Sequence, residues 1–378
     1  MTPKKKVLYY CQSLVGVGHL TCSLRIIDAL WARDIEVDLI YGGLDAAMPT
    51  EQPGLRTLRL PTLLHDEDSG EFFSPDGSNR IEAIWADRAR AIGAFLQMPY
   101  DAIVVEFYPF GRRRFKDEIV SLFSAVRQAS GPVPIFTSVR EVLVPRATDN
   151  ERRMVATVRK HIHTVFVRGD PQIIRFDETF SLAPVIADRL CYTGYIGSVG
   201  PRPPAHGPAR KAQVLVSQGG GNVGRELLQA AIGAAALMPQ LDFLLACGSR
   251  TTPAEIETLR QSGRSANVEI VPFLPDFAQR LRESAVSINM GGDNTLLDVL
   301  GARTPSLAYP YQDNPEQGIR IRKFAEHGLL HELRGEDLVP ERLKAKIELA
   351  LRTPYPERAI AMDGARVTSE RIRAVLHA

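Results

Sequence analysis

The sequence predicts an α/β protein built from two doubly wound parallel sheets. Short runs rich in Val, Ile and Leu alternate with longer amphipathic stretches along the whole chain, which is typical of strand-helix units that wind a parallel sheet. The chain has 378 residues, more than one hydrophobic core usually supports. A proline-rich stretch after residue 197 divides the pattern into two series. We therefore expect two domains.

Six strand-like runs make up the first series and predict one sheet in a Rossmann-like domain of residues 1–197. They read VLYYCQ from Val7, VDLIYGG from Val37, a weaker TLRLPTL from Thr57, AIVVEF from Ala102, PIFTSV from Pro134 and TVFVRG from Thr164. The first run follows three lysines, but it is short and leads directly into Gly and His, so it predicts a strand and not a signal peptide.

Residues 198–211 predict the interdomain linker, because four prolines between Pro201 and Pro208 can neither pair into a sheet nor continue a helix. A second Rossmann-like domain follows in residues 212–353. Its strand-like runs are QVLVSQGGG from Gln213, FLLACG from Phe243, VEIVPF from Val268, VSINMGG from Val286 and SLAYP from Ser306. Residues 354–378 predict a terminal helix that packs back toward the first domain.

Ligands of open α/β sheets bind at the carboxyl ends of the strands. We therefore expect the two domains to face each other across a cleft lined by these ends, with the chemistry on the strand-end loops.

Charge and composition exclude several classes of protein. Lys and Arg number 46 against 44 Asp and Glu, and a net charge of +2 is too small for the broad positive field that binds nucleic acid. No run approaches 18 uncharged apolar residues, so we expect no transmembrane segment. The four cysteines are far apart and have no metal-ligand spacing, which favours buried thiols in a reducing cytoplasm.

The first glycine-rich turn, SQGGGNVG, follows the strand VLVS and opens a helix. Backbone N–H groups and the helix N-terminus converge on an anion in such a turn, which predicts a diphosphate site at Gly219, Gly220, Gly221 and Asn222. The alternative is a tight turn without a ligand. The turn also matches the dinucleotide fingerprint GxGxxG, but the next strand ends without an acidic residue for the ribose of NAD. A site for NADP with Arg250 stays open.

The second glycine-rich turn lies between the strand VSIN and the helix TLLDVLGAR, and it consists of Gly291, Gly292, Asp293, Asn294 and Thr295. Asp298 lies about one turn inside the helix, where a carboxylate can reach back and accept two hydroxyl hydrogen bonds, such as those of a ribose. The alternative explains the residues nearly as well: Asp293 or Asn294 caps the helix, and Asp298 interacts with its dipole.

The loop YPYQDNPEQ follows the last strand-like run and contains Gln312, Asp313 and Gln317. Amides and carboxylates offer both donors and acceptors to sugar hydroxyls. Taken alone, the loop is better explained as a solvated loop with an Asx turn.

Taken in order, these motifs resemble the nucleotide-sugar signature of the bacterial peptidoglycan N-acetylglucosaminyltransferase and its GT-B relatives in glycosyltransferase family 28. The resemblance implies the GT-B fold, with a nucleotide-sugar on the second domain and an acceptor on the first. It implies that Asp298 binds the ribose, that Gln312 and Gln317 contact the sugar, and that Phe273 and Leu274 belong to the base-binding segment. Asp298 replaces the usual Glu and GGGN replaces the usual GGSQG, which indicates a separate branch of glycosyltransferases.

The turn Gly16-Val17-Gly18-His19 resembles the N-terminal glycine loop of the same family, which ends in His. With that resemblance, Gly16 and Gly18 are candidate ligand-binding residues. A neutral imidazole at His19 can take a proton from an acceptor hydroxyl. Without it, a histidine that packs locally at a helix start is the simpler explanation.

Glu106 ends the strand AIVVEF, where a charge must either look into the cleft or pair with a neighbour such as Arg112 or Arg140. Catalytic and structural roles are equally consistent with that position. The run Arg112-Arg113-Arg114 fits an anionic acceptor or a membrane surface, although a solvated helix start is the commoner explanation. The acidic string Asp66-Glu67-Asp68 resembles a metal-binding DxD motif, but it lies far from the nucleotide half, so no metal site is predicted.

Together with the resemblance, the sequence predicts an inverting glycosyltransferase that uses His19, with or without Glu106, as its base. The resemblance implies a metal-independent reaction and favours a UDP-sugar as co-substrate. No cofactor is expected, and the acceptor is a small or lipid-linked molecule whose binding can include peripheral membrane contact. Three alternatives stay open. They are a nucleotide-sugar hydrolase, a non-catalytic sugar-nucleotide-binding protein and an oxidoreductase.

Overall fold

The computed structural model describes residues 4–14, 18–44, 48, 53–65, 71–75, 77, 80–198, 210–219, 224–248, 251–262, 265–311 and 314–378. The chain forms two compact units. Unit 1 comprises Met1–Pro171, Arg175–Ile196 and Asp363–Ala378, and unit 2 comprises Gln172–Ile174 and Gly197–Met362.

Unit 1 is built on a parallel sheet with seven described strands and a small separate hairpin. In chain order the strands are β1 (Lys6–Gln12), β2 (Glu36–Gly42), β3 (Leu55–Arg59), the hairpin strands β4 (Leu64–His65) and β5 (Phe72–Phe73), then β6 (Ala102–Glu106), β7 (Ile135–Arg140), β8 (Thr164–Arg168) and β9 (Leu190–Tyr192). The order in the sheet is β3-β2-β1-β6-β7-β8-β9, so the strand order reverses between β1 and β6.

Amphipathic helices belong to the same unit, because each can present an apolar stripe to its core. They are α1 (Gly18–Trp31), α2 (Ile81–Phe95), α3 (Lys116–Ser130), α4 (Thr148–His161) and, from the end of the chain, α11 (Gly364–Leu376). The strands β1 and β6 are apolar along nearly their whole length and are almost fully buried, as expected for central parallel strands.

Unit 2 repeats the design with a parallel sheet of six described strands. The strands are β10 (Lys211–Ser217), β11 (Asp242–Ala246), β12 (Val268–Val271), β13 (Ser284–Asn289), β14 (Ser306–Ala308) and β15 (His331–Glu332). The helices are α5 (Arg225–Ala236), α6 (Pro253–Ser262), α7 (Phe277–Glu283), α8 (Asp293–Ala302), α9 (Pro315–Glu326) and α10 (Pro340–Arg352). The order is β12-β11-β10-β13-β14-β15, with the reversal between β10 and β13.

The two doubly wound parallel sheets confirm the predicted fold class, while several details differ from the prediction, among them the hairpin of β4 and β5, which the sequence did not predict. Each sheet has one edge strand that the sequence did not predict, β9 and β15, which are three and two residues long. The terminal helix begins at Gly364 and not near residue 354, because Pro354 and Pro356 cannot continue a helix. It packs on α1, where Arg33 and Glu370 form an ion pair of 2.8 Å.

Most of the predicted linker lies outside the described residues, and Lys211 already belongs to β10. Among the helices that the structure describes, none is long and apolar enough to cross a membrane. All four cysteines are free, and Cys11, Cys22 and Cys247 are buried.

Candidate functional site

Two residues that the sequence singled out meet in unit 1 where the strand order reverses. His19 is the second residue of α1, which follows β1, and Glu106 is the last residue of β6, the neighbour of β1. His19 Nδ1 lies 2.9 Å from Glu106 Oε1. His19 is 9% exposed and Glu106 is fully buried. The fold thus brings a titratable pair, 87 residues apart in sequence, to the place where α/β sheets bind ligands.

The environment fixes the protonation of this pair. Burial lowers the pKa of His19 to about 4, although the charge of Glu106 raises it. Burial raises the pKa of Glu106, but the opposing charges of His19 and Arg168 outweigh it and hold this pKa at about 2. Near neutral pH the carboxylate can only accept, so the neutral imidazole donates through Nδ1–H and keeps a lone pair on Nε2.

Arg168 is a member of this site that the sequence analysis missed. Its Nη2 lies 2.9 Å from Glu106 Oε1, and its side chain is only 5% exposed. The sequence suggested Arg112 or Arg140 as a partner of Glu106, and the ion pair with Arg168 is a further contact that the sequence did not suggest. The available signal was topological: β6, β7 and β8 are consecutive in the sheet, so the ends of β6 and β8 lie on the same edge.

The segment that follows Glu106 is tightly bent beside His19. Phe107 has a φ of +67°, and its ring meets the His19 ring edge to face with centroids 5.3 Å apart. Gly111 N–H donates to the Phe107 carbonyl at 2.8 Å, and a Cβ on Gly111 would lie 2.3 Å from the Phe107 ring. Arg112, with a φ of +60°, donates from Nε to the Gln12 carbonyl at 2.5 Å. Such backbone conformations cluster at functional sites.

In unit 2 the two predicted glycine turns also lie where the strand order reverses, after β10 and β13. Gly219 has a φ of +84° and Gly224, which precedes α5, has a φ of +100°. A Cβ on Gly224 would lie 2.6 Å from Met290 Sδ, so the two turns are in close contact. Helix α5 begins directly after Gly224 and α8 begins at Asp293, and a helix N-terminus has N–H donors for an anion.

The second turn is held by buried polar residues. Asn289 is fully buried; its Oδ1 accepts from Gly291 N–H at 2.9 Å, and its Nδ2 donates to Ser306 Oγ at 3.0 Å. Asp293, a predicted ligand residue, lies 3.2 Å from Nη1 of the buried Arg320. The side chain of Asp293 therefore helps to fix the start of α8, next to Gly292.

A cavity of about 170 Å³ lies beside these turns. It is lined by Ser217, Gly219, Ala246, Gly248, Phe273, Leu274, Phe277 and Thr295. The volume is below that of a pocket that holds a whole small molecule, so the cavity has room for only part of one. Phe273 is 63% exposed, unusual for so large an apolar side chain. Ser217 Oγ and Asn294 Oδ1 are buried and have no hydrogen-bond partner among the described residues.

Asp298 has a partner that the sequence did not predict. Its Oδ1 accepts from the backbone N–H of Ser198 at 2.9 Å and also from the Ser198 hydroxyl. Asp298 is 9% exposed. In this state the Asp298 carboxylate anchors the segment that leads into residues 199–209. A ribose that binds Asp298 would have to share the carboxylate with Ser198 or displace Ser198.

The loop before α9 matches the Asx-turn alternative in its described part. Asn314 caps the helix, and its Oδ1 accepts from Gln317 N–H at 3.2 Å. Gln317 Oε1 accepts from Tyr311 N–H at 3.1 Å. Several candidate residues lie outside the described residues, namely Gly16, Gly220, Gly221, Asn222, Gln312, Asp313, Arg250 and the string Asp66-Glu67-Asp68. Gly18 is described as the first residue of α1.

No group of three or more His, Cys, Asp or Glu with a metal-binding arrangement occurs among the residues that the structure describes.

Comparison with known proteins shows which families and proteins this chain is similar to. The model of the glycosyltransferase family 28 C-terminal domain matches residues 214–371. An uncharacterized glycosyltransferase of Methanosarcina mazei is 21% identical over 333 residues, which are 86% of this chain and 84% of that protein. A UDP-N-acetylglucosamine N-acetylmuramyl-(pentapeptide) pyrophosphoryl-undecaprenol N-acetylglucosamine transferase of Phenylobacterium zucineum is 31% identical over 158 residues, 40% of this chain and 42% of that protein.

Solved structures are similar over nearly the whole chain. A calicheamicin glycosyltransferase, CalG4, has a TM-score of 0.64 at 17% identity, and the match covers 99% of this chain and 98% of the CalG4 chain. MurG of Acinetobacter baumannii has a TM-score of 0.60 at 13% identity, and the match covers 98% of this chain and 100% of the MurG chain. These comparisons confirm the GT-B fold and the resemblance to family 28.

Proposed function

We propose that this family 28-like glycosyltransferase moves a sugar from a nucleoside diphosphate to an acceptor hydroxyl with inversion at the anomeric carbon, and that His19 is the base. The observation that carries the proposal is the buried contact of 2.9 Å between His19 and Glu106 in a chain with a family 28 C-terminal domain. A base oriented by a carboxylate is the arrangement that activates a hydroxyl nucleophile.

The chemistry is a single displacement. The acceptor oxygen gives its proton to His19 Nε2 and forms a bond to the anomeric carbon, while the bond from that carbon to the diphosphate breaks. Glu106 keeps Nδ1 protonated and stabilises the imidazolium that forms, as a carboxylate does in a catalytic triad. A single displacement inverts the anomeric configuration, which NMR of the product measures directly.

The donor in this proposal is a UDP-sugar on unit 2. The turns at Gly219 and at Gly291 and Gly292 have N–H groups for the diphosphate, together with the N-termini of α5 and α8. The cavity bounded by Phe273 and Leu274 takes part of the nucleotide. The name of the Phenylobacterium relative specifies UDP-N-acetylglucosamine, and one similar solved structure, with a TM-score of 0.61, is a complex with UDP.

Amide groups and helix N-termini can stabilise the leaving diphosphate by themselves, so we propose a metal-independent reaction without a cofactor. Turnover that is unchanged by EDTA supports this part, and turnover restored only by a divalent cation contradicts it. We further propose that the enzyme works in the cytoplasm on a small or lipid-linked acceptor, and the four free thiols are consistent with a reducing compartment.

The test has two stages. A thermal-shift panel of UDP, GDP, ADP, CDP and dTDP should show the largest stabilisation with UDP, because a ligand of the native state raises apparent stability. A preference for a purine diphosphate contradicts the UDP assignment. Product analysis with the preferred sugar, with and without acceptors, then separates transfer from hydrolysis, and binding without turnover contradicts the catalytic proposal.

A further inference from the structure

Unit 1 contains a second feature that the proposed reaction does not yet use, a cavity of about 600 Å³. It lies between the residues after β1, the segment after β6, the start of α3 and the middle of α4. That volume is in the range of pockets that hold a whole small molecule.

The rim of this cavity is strongly cationic. Among the described residues that line it there is no Asp or Glu, and the cations are Arg112, Arg113, Arg114, Lys116, Arg146 and Arg153. All are exposed except the half-buried Arg112. Within the described part of the chain none of the six lies within 4.0 Å of a carboxylate. Six positive charges around one cavity repel one another, and an anion in the cavity would relieve that repulsion.

The floor of the cavity is apolar. Tyr108, Phe110, Phe115 and Met154 line it and are buried, and Leu14 is half-buried. Aromatic and thioether side chains provide large contact areas for an apolar ligand, whereas a solvated helix start needs no such floor. An apolar floor below guanidinium groups fits a ligand that is itself divided into an apolar body and an anionic group.

The cavity adjoins the proposed base through one residue. Arg112 lines the cavity, and its guanidinium lies over the ring of Phe107 at 5.5 Å from the centroid. The same ring contacts His19 at 5.3 Å between centroids. A molecule seated in the cavity would therefore contact Arg112, which packs on the ring that contacts His19.

We infer that this cavity is the acceptor subsite, and that the acceptor is an anionic molecule with an apolar body that carries a phosphate or carboxylate group. That the ligand is the acceptor rests on the proposed function. That the ligand is anionic with an apolar body rests on the cavity itself. Arginine forks bind phosphate and carboxylate oxygens in pairs, so the rim would select for the anion and the floor for the body.

Binding can be measured by calorimetry without any nucleotide. The probes are 1-naphthyl phosphate, its uncharged counterpart 1-naphthol, and dioctanoyl phosphatidic acid below its micelle concentration. We expect at least one phosphate probe to bind about tenfold or more tighter than 1-naphthol, with an affinity that falls as salt rises. The better of the two phosphates identifies the source of the anion as a soluble molecule or a lipid.

Variants of the rim locate that binding. Arg146→Gln and Arg153→Gln should each weaken the preferred phosphate about three- to tenfold and leave 1-naphthol unchanged. Arg152→Gln is the matched control, since Arg152 is also exposed on α4 but does not line the cavity and pairs with Asp149. Arg152→Gln should change the affinity for the preferred phosphate by less than about twofold.

Equal affinity for charged and uncharged probes would overturn the inference, as would equal losses in Arg152→Gln and the rim variants. These outcomes do not depend on turnover. If the phosphate binds as expected but no sugar is transferred, the proposed function fails while the anion site stands. If sugar is transferred to uncharged acceptors only, the inference fails while the proposed function stands.

Discussion

Buried groups orient His19, the proposed base. Glu106 accepts from Nδ1 and pairs with Arg168, and the Phe107 ring packs against the imidazole. A base that is already held in the reactive tautomer and orientation needs little reorganisation free energy to reach the transition state. In the proposed reaction His19 therefore affects the rate and not the affinity for the nucleotide.

His19→Ala should lower kcat by about 10²- to 10⁴-fold and leave UDP affinity nearly unchanged, because it removes only proton transfer. Initial rates at saturating substrate and calorimetry with UDP measure the two effects. His377→Ala, an exposed histidine after the last helix, is the control and should behave as the wild type.

The pH profile gives the same residue a second test. Because the pKa of His19 is lowered to about 4, the acidic limb of the kcat/KM profile should lie at a pH well below 6.5. This limb should be absent in His19→Ala. A larger loss in Glu106→Gln than in His19→Ala would transfer the role of base to Glu106. Nearly normal turnover in His19→Ala, with chemistry rate-limiting, would remove His19 from the mechanism.

Asp298 allows a paired prediction. Asp298→Ala should weaken UDP binding by about 1–3 kcal/mol through loss of hydrogen bonds to a charged acceptor. Ser198→Ala should strengthen it about two- to tenfold, because the Ser198 hydroxyl then no longer competes for Oδ1. Calorimetry with UDP measures both, and Asp298→Glu should be tolerated. Unchanged affinity in Asp298→Ala would leave Asp298 with a structural role, as an anchor of the linker segment.

The sequence predicted some residues of the site and not others for a physical reason. His19 and Glu106 end or follow strands, so the parallel pattern alone placed them at one edge of the sheet. Arg168 also ends a strand, but its pairing with Glu106 depends on strand order, which local patterns do not encode. The contact between Asp298 and Ser198 joins residues 100 positions apart and has no local signal at all.

At the scale of elements, the bent segment from Phe107 to Arg112 connects the base to the cationic cavity. Gly111 has no room for a side chain, because a Cβ would meet the Phe107 ring at 2.3 Å and that ring is 8% exposed. The ring cannot move without disturbing its contacts with His19 and Arg112. Glycine at this position is therefore part of the positioning of the base.

Gly111→Ala should reduce the free energy of unfolding by about 1–3 kcal/mol through overpacking, and should lower kcat more than it changes UDP affinity. Denaturant unfolding and initial rates measure these effects. Gly93→Ala is the matched control: it lies inside α2, and a Cβ there meets nothing within 4 Å. It should gain about 0.5–1 kcal/mol from helix propensity. Unchanged rates in Gly111→Ala would deny the segment a positioning role.

Strand prediction succeeded where burial is continuous and failed where it is brief. β1, β6 and β13 have five to seven residues and are almost fully buried, whereas β9 and β15 are short edge strands whose residues are only partly buried. Two or three partly buried residues carry too little apolar pattern to indicate a strand, and pairing with a neighbouring strand defines them, whereas the equally short β14 is fully buried and was predicted. The glycine turns were predicted because their positive φ angles restrict the residue type.

At the scale of the whole molecule, the buried pair makes stability depend on pH. The pKa of His19 is lowered from 6.5 to about 4 in the folded chain, so between these values the unfolded chain binds more protons. Stability should therefore fall as pH decreases through this window. The pKa of Glu106, lowered from 4.5 to about 2, continues the loss at lower pH.

Denaturant unfolding at a series of pH values measures this dependence. In His19→Ala the slope of unfolding free energy against pH between about 6.5 and 4 should be smaller than in the wild type, by up to one proton. The same slope in both proteins would contradict the assigned protonation of His19.

The two units should respond differently to a nucleotide, because the proposed donor groups all belong to unit 2. Saturating UDP should slow amide hydrogen exchange most strongly in the segments around Gly219, Phe273 and Gly291, since binding to the native state raises the free energy of local opening. Exchange in β6 and the segment after it should change less.

Asp298→Ala, studied at a UDP concentration that saturates it, should keep the same pattern of protection, because the substitution weakens binding without moving the site. Protection that is strongest in unit 1 would assign the nucleotide to the sheet that carries His19 and Glu106, and it would reverse the proposed roles of the two units.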